Sequence, residues 1–163
     1  MLNTMKTFAM RFVLLFLVLS VASAQNVPDS FSSYIAITNP SSQAITLQKP
    51  TTSNRVIRPQ AAWVHSTVAT TVTLELRGAA ATTTALTIGS LTGASSTAQV
   101  FSASNVGAAS YSGPAFEIPA GGQGVTIALT GIALAGNAST ENMTLRPANA
   151  TSTLKVQIWW NEQ

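Results

Sequence analysis

The sequence has 163 residues, eight Lys or Arg against five Asp or Glu, one histidine and no cysteine, and only 8% of it is charged. That excludes a disulfide scaffold and a thiolate metal centre. It also leaves too few clustered cations for a nucleic-acid groove, since only Arg55 and Arg58 lie near each other after the first residues.

The chain opens with Lys6 and Arg11, a run of ten residues at 12–21 that is apolar except for Ser20, and then Ala22-Ser23-Ala24. This order is that of a secretory signal peptide over residues 1–24, cleaved before Gln25. Ten residues of helix rise only ~15 Å against a hydrocarbon core of ~30 Å, so no stable membrane insertion is expected after cleavage. The mature chain, residues 25–163, keeps six basic and five acidic side chains. Its length fits one domain, secreted to the periplasm, the cell surface or the medium.

Short segments with period-two alternation follow. Residues 33–38 align Ile35 and Ile37, residues 44–48 align Ile45 and Leu47, and residues 55–58 hold an apolar pair between two arginines. Residues 61–66 set Trp63 and His65 opposite Val64, and residues 70–77 set Val72, Leu74 and Leu76 opposite Thr71, Thr73, Glu75 and Arg77. Residues 78–112 are rich in Ala, Thr, Ser and Gly, with weak strand patterns at 85–91 and 98–102 and room for long loops. Phe116 and Ile118 share a face in residues 115–118, and the Pro119-Ala120-Gly121-Gly122 cluster turns the chain into residues 124–134. There the apolar parity shifts between Leu129 and Ile132, which predicts a bulge or bend near Gly131. Met143 and Leu145 mark a short strand, and residues 153–161 close with Leu154, Val156, Ile158 and Trp160 on one face. The pattern predicts about nine or ten short strands in a single all-β domain. The expected architecture is an antiparallel β-sandwich, jelly-roll-like, with one wet face on each sheet.

Groups able to do chemistry are scarce. Ser66 cannot serve His65, because neighbours on a strand point to opposite faces. Glu75 and Glu117 both sit at polar-face positions; a glycosidase would need them to converge, which requires their strands to pair. No metal-ligand spacing and no phosphate-cradling glycine loop is present. The expectation is therefore a non-enzyme with no catalytic, metal or cofactor site, a hydrolase being an alternative only through that glutamate pair.

The aromatics are more informative. Trp159 and Trp160 are adjacent, so alternation sends Trp160 inward with Ile158 and Trp159 outward with Lys155 and Gln157. Trp63 and Tyr34 have the same outward parity. These five residues form the candidate interaction surface, either for another copy of the chain or, as exposed aromatics stacking on sugar rings, for a surface polysaccharide. Sequons at Asn137, Asn142 and Asn149 are glycan acceptors on a eukaryotic secretory route.

The runs NPSSQAITL, PAGGQGVTIALTGIAL and STLKVQIWWNE, spaced by a thin Thr/Ala middle, resemble the plan of small β-sandwich or jelly-roll structural proteins of bacterial surfaces and phage particles. Many of those end on a strand with an aromatic-x-Glu close. The resemblance implies a structural or interaction role and carries no functional residue. The secretory leader departs from the virion proteins and points to an exported component.

Overall fold

The computed structural model describes residues 28–38, 44–78, 84–103, 108–136, 141–148 and 153–163. Residues 1–24, read from the sequence as a leader, lie outside them, as do Asn137 and Asn149. Among the described residues every regular element is a strand: β1 (Asp29–Thr38), β2 (Ala44–Lys49), β3 (Ile57–Ser66), β4 (Thr70–Arg77), β5 (Thr84–Ala85), β6 (Gly89–Ser90), β7 (Gln99–Ala103), β8 (Tyr111–Ile118), β9 (Val125–Ala128), β10 (Glu141–Pro147) and β11 (Thr153–Glu162). There are eleven, not nine or ten, because the thin middle contributes three, two of them only two residues long.

The strands form two packed antiparallel sheets. One has the order β6-β1-β11-β3-β9 and the other β5-β7-β2-β10-β4-β8. Through β1 to β4, and again through β8 to β11, each strand crosses to the other sheet from its predecessor. Between these runs, β5, β6 and β7 extend both sheets along one side.

Alternation sets what is buried. In β11 every second residue from Leu154 to Glu162 is buried and the residues between are half-buried. β11 lies between β1 and β3, pairing Asp29 to Thr38 with Glu162 to Thr153 on one side and Ile57 to Ser66 on the other. A register shift at Trp159/Trp160 keeps both Pro59 and Ala62 of β3 on the buried side. The core fills the space between the sheets. Trp160, fully buried, stacks on Phe31 with ring centroids 5.9 Å apart.

Strand ends follow their glycines. Gly131 has φ +96, a conformation that favours glycine. It turns the chain after Leu129 so that Leu134 returns to pair with Ile57, which accounts for the parity shift. β8 begins at Tyr111, earlier than its apolar pair suggests, and runs through Gly113-Pro114 because it is an edge strand, where a missing N–H costs no ladder bond.

One end of the core is closed by a buried polar network. Glu162, whose side chain is fully buried, accepts from Ser96 Oγ, Thr97 N, Thr97 Oγ1, Ala98 N and Trp160 Nε1. Thr97 Oγ1 also meets Ser53 Oγ at 2.8 Å, and the buried Lys49 donates to the carbonyls of Ser53 and Gly136, each at 2.7 Å. Burial alone would raise the Glu162 pKa, but the hydrogen bonds from Ser96, Thr97 and Trp160 outweigh it and hold the group below its ordinary value. The network bolts the segment between β6 and β7 to the terminal strand.

A candidate interaction face on the five-stranded sheet

Residues opposite one another in register point the same way, so register converts the alternation into a map of the outer face. One row across the five-stranded sheet reads Tyr34, Gln157, Trp63, Thr126. The row on one side of it reads Ser32, Trp159, Ala61, Ala128, and the row on the other reads Ala36, Lys155, His65. The five residues singled out in the sequence, Trp159, Lys155, Gln157, Trp63 and Tyr34, thus lie on one face, with Gln157 at its middle.

Tyr34 and Trp63 flank Gln157 two inter-strand steps apart, about 10 Å between Cα positions. Trp159 and Lys155 flank it along β11, each about 7 Å away. Tyr34 is 52% exposed, and Trp63, Trp159, Lys155 and Gln157 are half-buried. The register neighbours of Trp159 are Ser32 and Ala61, too small to cover an indole from the side.

The Trp63 ring is fixed. Its Nε1 donates to the Gln123 carbonyl at 3.2 Å, and it stacks on His65 at 5.9 Å between centroids. Gly124, with φ +87, makes room: a Cβ there would sit 2.5 Å from the indole. His65 Nδ1 is buried and meets no hydrogen-bond partner among the described residues. The charged groups on this face are Lys155 and Arg58, the latter opposite Asn161 at one end. None of its described positions is a carboxylate: Asp29 and Glu162 sit on the buried side of their strands, in the polar closure.

The other candidates separate. β4 and β8 do pair, but Glu117 stands opposite Thr71, four residues along β4 from Glu75. That is about 13 Å, beyond the ~5–9.5 Å of either glycosidase geometry. Glu75 is instead held by Arg77 and by Arg146, the latter at 3.0 Å. Desolvation would raise its pKa; the two guanidiniums more than offset that and lower it. A groove of about 570 Å³ lies between residues 69–71 and 117–119, and among its described lining residues the titratable one is Glu117. Among the described residues no three His, Asp or Glu side chains converge.

Asn142 is 1% exposed within β10, between Gln48 of β2 and Arg77 of β4. A glycan on it has no room in the folded chain. Sequence reasoning missed the buried roles of Lys49 and Glu162. The one available signal was parity, which places both on the inward side of their strands.

No protein-family model matches the chain, and neither the curated proteins nor the solved structures searched contain a match. The functional reading therefore rests on the geometry of the face.

Proposed function

We propose that this chain is a secreted, non-catalytic interaction module: a jelly-roll sandwich that meets its partner through the outer face of the five-stranded sheet. The strand order supports the jelly-roll reading. With β5–β7 set aside, β1-β11-β3-β9 faces β2-β10-β4-β8, the order of two interleaved Greek keys. The residues 1–24 pattern supports secretion. The distance between Glu75 and Glu117 supports a role without catalysis.

The observation that carries the proposal is the grouping of Tyr34, Trp63 and Trp159 around Gln157 on one acid-free face. One exposed and two half-buried large aromatics in a group mark a contact surface, and Trp and Tyr are the residues on which contacts most depend. The partner is a second copy or a surface polysaccharide.

The test is to measure mass by light scattering over a range of concentrations, and retention on polysaccharides, for wild type, Tyr34→Ser, Trp159→Ala and a control on the other sheet, Thr73→Ser. Loss of association in the first two variants alone supports the reading. Association that survives both, or no association of either kind, refutes it.

A further inference from the structure

We propose that the partner of this face is an acidic polysaccharide, a chain carrying uronic-acid carboxylates, laid across the strands of the five-stranded sheet. The inference rests on the face being the contact surface and names what it contacts.

Three features converge on that chemistry. The first is the layout of rings. The backbone positions of Tyr34 and Trp63 are about 10 Å apart across the sheet, which sets their side chains on the scale of every second ring of an extended pyranose chain. Trp159, with Ser32 and Ala61 as its register neighbours, offers a third platform. The apolar C–H face of a sugar ring stacks on the negative face of an aromatic ring. The second feature is Gln157. Its amide, set among the rings, offers both donors and an acceptor to hydroxyl groups.

The third feature is charge. Lys155 stands on the far side of Gln157 from Trp159, Arg58 lies toward one end, and the described positions of the face hold no carboxylate. Nothing on the face repels a polyanion, and Lys155 is placed to take one carboxylate while its neighbours stack. A second copy of the chain is the poorer fit. A two-fold contact would bring Lys155 and Arg58 of both copies together with no carboxylate from either face to oppose them.

The fixed ring of Trp63 adds preorganisation. Its bond to the Gln123 carbonyl and the space left by Gly124 hold the platform before ligand arrives, so little is lost in ordering it.

The experiment is affinity electrophoresis of the protein expressed from its full sequence. The gels contain polygalacturonate or alginate, with dextran and hydroxyethylcellulose as neutral counterparts. The uronate polymers should retard the wild type and the neutral polymers should not. Lys155→Gln and Trp159→Ala should each weaken retention about tenfold. Arg146→Gln, which removes one positive charge from the opposite sheet, should leave retention unchanged, and this separates a site from general attraction of a cationic protein.

Equal retardation in neutral gels, equal effects of Lys155→Gln and Arg146→Gln, or no retardation at all would overturn the inference. If retardation is absent but the protein forms an oligomer that Tyr34→Ser disperses, the polysaccharide is wrong and the face is right. If both are absent, both proposals fall.

Discussion

The two outer faces of the sandwich come from the same kind of sequence and behave differently. On the five-stranded sheet the outward positions hold Tyr34, which is exposed, and Trp63, Gln157 and Trp159, which are half-buried. On the six-stranded sheet the outward positions of β2 and β10 are Thr46, Gln48, Asn142 and Thr144, all buried. There polar side chains satisfy one another sideways. Thr46 and Thr144 share a hydrogen bond of 3.0 Å, Gln48 donates to Gln99 at 3.1 Å, and Glu75 joins Arg77 to Arg146. A polar outward residue is thus no guarantee of a wet face. Polar side chains that bond to their cross-strand neighbours are buried on one face, while rings beside Ser, Ala and Gly stay partly open on the other.

The comparison is tested most severely at Glu75. Glu75→Gln removes the charge that two guanidiniums share and should cost about 3 kcal/mol, read as a lower urea midpoint. The acid profile should change with it. Glu75 and Glu162 both have folded pKa values below the ordinary 4.5. Their stabilisation is complete above that value and is lost as pH falls through the lower folded values. The wild type should therefore weaken below about pH 4.5, and Glu75→Gln should weaken less steeply. Trp159→Ala, on the face without carboxylates, should keep the wild-type slope; a changed slope there would mean that the two faces are coupled.

Gly124→Ala comes next. It forces a side chain into φ +87 and against the indole of Trp63, and should cost about 2 kcal/mol while shifting the tryptophan emission. Thr144→Val leaves the fully buried Thr46 hydroxyl without its partner and should cost about 1–2 kcal/mol. The double variant Thr46→Val/Thr144→Val should recover most of that, because neither hydroxyl is then left alone. If it does not, lateral bonding is not what closes the six-stranded face. The smallest effect belongs to Trp159→Ala, under about 1 kcal/mol in urea denaturation. A large loss would show the ring to be structural and the open face to be misread.

What was legible in the sequence follows from length of pattern. β11 alternates over ten residues, so Trp160 inward and Trp159 outward could be read directly, and β4 likewise. The face itself was partly legible, since parity put Tyr34 and Trp63 on the outward side. That they share a sheet with Trp159 needed the order β1-β11-β3, which rests on contacts far apart in sequence. The middle of the chain was poorly legible because β5 and β6 are too short to alternate. The expectation of one wet face per sheet failed at Thr46 and Asn142, whose burial depends on neighbours in space that leave no periodic trace. Parity put Lys49 and Glu162 on the inward side of their strands, but partners that satisfy them there, Gly136 and Thr97, lie far away in sequence.

The position of β11 has one more consequence. It separates β1 from β3 within their sheet, yet it is encoded far downstream of both. A ribosome releases β1 and β3 long before the strand that joins them exists, and the polar closure at Glu162 comes at that strand's end. Such non-local pairing folds slowly and cannot begin to lock until late. The chain therefore stays open until β11 has emerged.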